Sequence, residues 1–354
     1  MPVSSSARVS VSTIDKEIKK LTKPGDRHKR VMGLLDSWGA ITYNQGGPSV
    51  NWRVEYKEAT PEYADDMDSY SPPRRNRWRE ASVKWHHWRE GESISEFEQL
   101  VQQDNKLALF NLVKAALDAL SRDFNKHLCS EIFKDGDSTE EDHMDGLETM
   151  YSDISAASGV AGVPAGTYAG LSMVLNYYGA GKFDGTWPNG TGSLEYFFNS
   201  PIVADYTNSG WSATTKTWQY TWREAMDWAE THVESLHGIV PDVWVMTPEM
   251  LRLCRLSLHD KERIEISQIP ELLKLGFRGL SHNGSELIAD HYCTPNVAYG
   301  LSKDHIEFRN MLGQVVGKKT DEDITTLTDM IVLRTYCNMR FETPAFFPCL
   351  RSIS

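Results

Sequence analysis

Between Glu92 and Asp135 the sequence contains neither glycine nor proline. That absence excludes a turn-rich segment and leaves room for a long helix, with Gly91 before it and Gly136 after it as punctuation. A run of about 18 apolar residues, the length a membrane helix needs, is also missing. Residues 1–12 are serine-rich and lack an apolar core, so a secretory signal is excluded. Basic charge is short too. The formal net charge of the 354-residue chain is -12, which argues against a protein that clamps nucleic acid. Cysteine is scarce and unpaired in pattern: Cys129, Cys254, Cys293, Cys337 and Cys349 are five in number, and none forms a C-x-x-C. They read as reduced thiols of a cytosolic product. What remains is 40% hydrophobic and 24% charged, a globular composition able to bury a core in two lobes. Eleven tryptophans are a high count, and such anchors serve interfaces as well as cores.

The glycine-free stretch opens on Ser95-Glu96-Phe97-Glu98, which reads as a capping box. Phe110, Val113, Leu117, Leu120, Phe124 and Leu128 then recur at steps of three and four, one apolar stripe along a helix. Unbroken, the rod would span roughly 55–60 Å; the polar run Gln102-Gln103-Asp104-Asn105 leaves two helices with a turn as the alternative.

Residues 1–40 read as an arm, with short amphipathic helices around Ile14–Leu21 and from about Arg27 to Ser37. So little apolar surface cannot fold alone, so the arm should lie on something else. Residues 41–94 read as a long hairpin. Trp52, Val54 and Tyr56 alternate with Arg53, Glu55 and Lys57. In the return strand, Val83, Trp85 and His87 alternate with Lys84, His86 and Trp88. The tip changes sign, from Glu58, Glu62, Asp65, Asp66 and Asp68 to Arg74, Arg75, Arg77 and Arg79. A two-stranded ribbon is poorly stable alone, so a neighbour should hold it. Trp52, Tyr56, Asp65, Asp66, Asp68, Arg74, Arg75, Arg77 and Arg79 are the expected contacts to another subunit; a merely solvated loop is the plainer reading.

The turn Asp135–Asp142 fails as a calcium loop, because Glu140 stands where the glycine belongs and Gly146 where the terminal Glu belongs. Residues 147–220 are a Gly-, Ser- and aromatic-rich, loop-dominated insertion. Gly179-Ala180-Gly181-Lys182 is not a phosphate loop, since Asn176 and Phe183 occupy the defining places. Thr221-Trp222-Arg223-Glu224 reads as a second capping box, before a helix carrying Trp222, Met226, Ala229, Val233 and Leu236 to Gly238. A buried strand over Asp242–Met246 and a helix from Thr247-Pro248, with Leu251, Cys254 and Leu258 inward, complete a small lobe. Short strands follow at Glu286–Ala289, Val297–Leu301 and His305–Arg309. A long one runs Ile331–Phe341, with Ile331, Leu333, Thr335, Cys337, Met339 and Phe341 on one face.

This order, with the stretches "VNWRVEYKEAT" to "ASVKWHHWREGESIS", "DVWVMTPEMLRLCRLSLHDKERI" and "LGFRGLSHNGSELIADHYCTPNVAYGLSKDHIEFR", resembles tailed-phage major capsid proteins of the Hong Kong 97 type. The resemblance implies an α+β capsid fold: a 1–40 N-terminal arm, a 41–94 E-loop, a P-domain over 95–146 and 325–354, and an A-domain over 147–324. It implies a structural protein of the virion, built in the cytoplasm of a host bacterium. Copies would form pentamers and hexamers in an icosahedral shell around double-stranded DNA, without sequence-specific binding and without a membrane. A portal, a separate scaffolding protein and decoration proteins would be its partners. Lys57 and Lys84 fall in the E-loop, but neither matches a linking lysine of the family, so the resemblance carries over no claim of a cross-link.

An encapsulin-like shell around protein cargo is the nearest rival. An enzyme is expected least. His291-x-Cys293 and His127-x-Cys129 lack a partner pair at zinc spacing, and His86 and His87 point apart on a strand, so no catalytic, cofactor or metal residues are expected. A nucleic-acid binder would use Arg74–Arg79 with Trp78, Trp85 and Trp88, but the acidic first half of the hairpin opposes it.

Overall fold

The computed structural model describes residues 30–55, 78–95, 106–136, 143–151, 154–158, 160–164, 166–173, 199–258, 280–323 and 328–353. The chain enters through a short helix, Arg30–Ser37, whose Val31, Met32, Leu34 and Leu35 are buried. Strand β1 (Ile41–Thr42) follows and pairs with β14 (Ile306–Asn310) in parallel. Residues 30–42 therefore belong to the body of their own chain, and the backbone N–H of Val31 donates to Asp290 at 3.2 Å. The expected helix at Ile14–Leu21 lies outside the described residues.

Strands β2 (Val50–Glu55) and β3 (Trp78–Val83) form a ribbon, and β4 (His86–Ser95) continues from it. The expected uniform alternation breaks at Lys84-Trp85. Ala81 and Val83 are buried on one side of the break and His86 on the other, because β3 pairs with β2 while β4 pairs with another strand. A change of partner shifts the pleat by one residue.

The long helix runs Lys106–Glu131, about 39 Å of rise. Leu120, Phe124 and Leu128 are buried as the stripe requires, and Phe110, Val113 and Leu117 lie within the same helix. Glu96–Glu98 of the expected capping box lie outside the described residues. Glu92–Ser95 extend β4 against Thr328–Ile331 of the terminal strand. The helix packs across β4 and the terminal strand, with the Trp88 ring edge-on to His127 at 5.6 Å.

A single turn at Leu147–Met150 leads into short strands β5 (Ile154–Ser158), β6 (Ala161–Pro164), β7 (Thr167–Tyr168), β8 (Leu171–Ser172) and β9 (Val203–Asp205). The lobe helix begins at Trp218, one turn before the predicted cap. Thr221 lies inside it and bonds back to the carbonyl of Thr217, while Glu224 accepts from Ser212 instead of capping. Burial of Trp218 and Trp222 pulls the extra turn in. Gly238, left-handed at φ 67°, ends the helix as expected. Strand β10 (Val243–Met246) and the helix Pro248–Leu258 follow as predicted, with Thr247 Oγ1 accepting from Met250 N at 3.3 Å.

Then come β11 (Leu280–His282), β12 (Ser285–Ala289), β13 (Val297–Leu301), β14, β15 (Gly317–Asp323), β16 (Thr328–Phe341) and β17 (Cys349–Arg351). Two sheets organise the described residues. One runs β1-β14-β16-β15 with β4 also on β16; the other runs β11-β12-β10-β13-β17-β9-β6-β5. Sheet pairing thus puts residues 306–323 with the terminal strand and 349–351 with the lobe, on the far side of the expected 324/325 boundary in each case.

Strand β10 shows how two cores share one sheet. Val243 and Val245 face the main core, while Trp244 and Met246 face a second core under the two lobe helices, with Trp222, Met226 and Cys254. Along β16 the expected inward set, Ile331 to Phe341 by twos, is buried throughout. All five cysteines are free and buried.

Candidate self-assembly surface

The ribbon has two faces. Val50, Trp52, Val54, Ala81 and Val83 turn inward and are buried. Asn51, Arg53, Glu55, Trp78, Glu80 and Ser82 share the opposite face. The outer rung, Glu55 opposite Trp78, leaves that indole 49% exposed, the most open tryptophan among the described residues.

Trp52, expected to touch another subunit, is committed to its own chain. It is 7% exposed, its Nε1–H donates to the carbonyl of Glu342 at 2.9 Å, and Arg340 lies over its ring at 5.7 Å. Its ring centroid sits 6.1 Å from that of Tyr168. Tyr168 belongs to the β7–β8 hairpin, whose Ala169 and Gly170 both take positive φ, as a tight two-residue turn demands. That turn grips the ribbon: Ser82 N–H donates to the Ala169 carbonyl at 3.1 Å. The ribbon base is therefore stabilised within the subunit. Arg79 is exposed in β3. Tyr56, Asp65, Asp66, Asp68, Arg74, Arg75 and Arg77 lie outside the described residues.

A polar joint that sequence reasoning missed holds the ribbon root to the long helix and β16. Asn338, fully buried, donates to the Lys84 carbonyl at 2.7 Å and to Asp145 Oδ2 at 2.5 Å, and accepts from Asp145 N at 3.1 Å. His86 Nε2 stands 3.8 Å from the same carboxylate. One turn away, buried Glu131 accepts from Met144 N at 3.2 Å and meets His143 Nδ1 at 3.1 Å. The chain passes so close here that a Cβ on Gly146 would lie 2.6 Å from the Glu131 and Ile132 carbonyls. Gly146 was the only legible signal. Trp85 adds a strut, its Nε1–H donating to the Gly47 carbonyl at 3.1 Å.

Burial pushes the Cys254 and Cys337 thiols up to about 12 and raises those of Cys293 and Cys349, so these sulfurs stay protonated and unreactive at neutral pH. Among the described residues one trio gathers ligand-type atoms within 4.8 Å: Asp227, Glu230 and His282. Its members are satisfied locally. Asn283 donates to Asp227 at 2.5 Å and Glu230 at 3.3 Å, Trp244 to Glu230 at 2.7 Å, and His282 Nε2 meets Asp227 at 2.9 Å.

No family model matches the chain, and no curated protein matches it. Solved structures do match. A chain from the Cyanophage A-1(L) capsid asymmetric unit aligns at a TM-score of 0.60 and 14% identity, covering 90% of this chain and 92% of that one. A chain from the capsid of an empty GTA particle, computed with C5 symmetry, aligns at 0.55 and 9%, covering 90% and 89%. The native GTA particle capsid gives 0.53 and 9%, covering 91% and 90%. Identities this low speak to architecture, and the architecture is the α+β capsid fold of the Hong Kong 97 type.

Proposed function

We propose that this chain is a major capsid protein. Copies assemble as pentamers and hexamers into an icosahedral shell enclosing double-stranded phage DNA. The observation that carries the reading is the shared fold with the cyanophage capsid chain over nine-tenths of both chains. Around it the geometry fits a tile. The ribbon base is pinned within the subunit, the outer rung presents an exposed indole, and the buried thiols offer no nucleophile. Residues Tyr56, Asp65, Asp66, Asp68, Arg74, Arg75, Arg77 and Arg79, with Trp78, are the proposed reach to a neighbouring copy. Shell contacts of this kind are individually moderate and strong in sum. A net charge of -12 keeps the lining from gripping a duplex that has to slide during packing.

The partners that follow are a separate scaffolding protein, a portal and decoration proteins; the location is the virion, after assembly in the bacterial cytoplasm. Electron microscopy of the purified protein tests the proposal. Closed round particles or rings of five and six subunits are expected, and a monomer at every concentration would sink it. Particles from the natural host filled with protein and free of nucleic acid would replace it with the encapsulin-type reading.

A further inference from the structure

One face of the β4–β16–β15 sheet packs toward the long helix through Trp88 and the inward set of β16. The opposite face has an unusual composition for so acidic a chain. In the register, Arg334 stands directly opposite Arg89 on one side and Gly317 on the other. Directly opposed like charges on neighbouring strands repel, with Cβ atoms about 5 Å apart. Neither guanidinium has a carboxylate partner among the described residues, whereas Arg309 and Arg340 are both engaged by Glu307. The Nε of Arg334 is buried and finds no hydrogen-bond acceptor. Its guanidinium sits 5.9 Å from the Tyr336 ring centroid, which supplies no such acceptor. Two opposed cations are costly, and an anion seated over exposed Arg89 and half-buried Arg334 relieves their repulsion.

The surroundings describe the shape of that anion. On one flank of the arginine rung His87 and Tyr336 lie stacked, ring centroids 4.3 Å apart and planes within 6° of parallel. On the other flank is the rung of Gly91, Val332 and Lys319, the lysine exposed. Gly91 is exposed on the β4 side, whereas Gly317 is buried against the Leu312 side chain, so the face is open toward β4 and walled toward β15. A cationic strip with planar guanidinium forks suits the phosphodiester backbone of a duplex.

We infer that the Arg89–Arg334 rung is a backbone-phosphate contact for double-stranded DNA, placing this sheet face toward the shell's contents. The inference rests on the shell reading above. It does not conflict with the acidic balance of the chain: two arginines per subunit give a weak contact that salt releases, one that permits sliding.

The test is binding of the full-length protein, as soluble subunits, to a short fluorescent duplex of mixed sequence, followed by anisotropy between about 50 and 200 mM salt. Arg89→Gln/Arg334→Gln is expected to weaken binding about tenfold at the low-salt end and to flatten the log–log salt slope by about two. Its melting temperature should be unchanged or higher, because the repulsion between the two arginines is gone. A control pair on other surfaces, Arg53→Gln/Arg252→Gln, should leave the slope as it was. If the Arg89/Arg334 variant binds duplex like wild type, the inference is overturned. It is equally overturned if that variant loses only particle formation, for then the anion is a carboxylate of a second copy. Wild-type particles on a grid together with an unaltered slope defeat this inference alone; wild-type subunits that never assemble defeat the shell reading itself.

Discussion

Trp52 illustrates how much a single position on a ribbon can be misjudged from its type. Its indole fills the gap between Tyr168 and Arg340 and satisfies the Glu342 carbonyl. Trp52→Ala should therefore destabilise the isolated subunit by about 3–5 kcal/mol, seen as a lower urea midpoint, rather than leave the fold intact and weaken assembly. A pH effect belongs at the same scale. His237 ends the lobe helix with its ring edge against Phe346 at 5.3 Å, and burial pulls its pKa from 6.5 down to about 4. Between those values the unfolded chain takes up a proton that the folded chain refuses. Stability therefore falls as pH drops through that window, by at most about 3 kcal/mol. His237→Gln should remove that part of the loss, measured as urea midpoints at about pH 7 and about pH 5.

Among elements, the ribbon is the one whose role can be isolated. Its base is held by the β7–β8 turn and its outer rung is Glu55–Trp78. Joining those two residues through an Asn-Gly turn in place of residues 56–77 closes a regular hairpin. The shortened chain should keep the melting temperature of the parent within a few degrees and form no closed shells by electron microscopy. Normal particles would show that the ribbon's far end is dispensable. Elements governed by local periodicity were legible in advance: the period-two face of β16, the stripe at Leu120, Phe124 and Leu128, and the Thr247-Pro248 helix start. What escaped were the places where a distant partner overrides local chemistry. The expected helix over Glu92–Asp135 gives way at its start to a strand, because the backbone of Glu92–Ser95 pairs with Thr328–Ile331, more than two hundred positions on. The slip of phase at Lys84-Trp85 and the Asn338–Asp145 joint have the same origin, since no local pattern reports which strand comes to lie alongside. Residues 56–77, which carry most of the expected contact residues, lie outside the described residues.

For the molecule as a whole, the proposed assembly links to stability. A subunit whose ribbon and exposed Trp78 are covered by neighbours gains stability from every copy bound, by mass action. Calorimetry should show subunits in particles unfolding at a higher temperature than dissociated ones, with the gap widening as protein concentration rises. Equal transitions in both states would mean that the contacts contribute nothing beyond proximity.

The ten paired positions between β4 and β16 carry a mechanical consequence. A beam clamped along that much of its length, and strutted at Lys84 and Trp85, has a fulcrum that does not swivel. In the proposed shell, pentameric and hexameric rings would meet their neighbours at different angles, and the wedge between those angles would be absorbed outboard of the clamp, where subunit meets subunit. Curvature of such a shell would then be a property of its seams, with the tiles themselves keeping one shape.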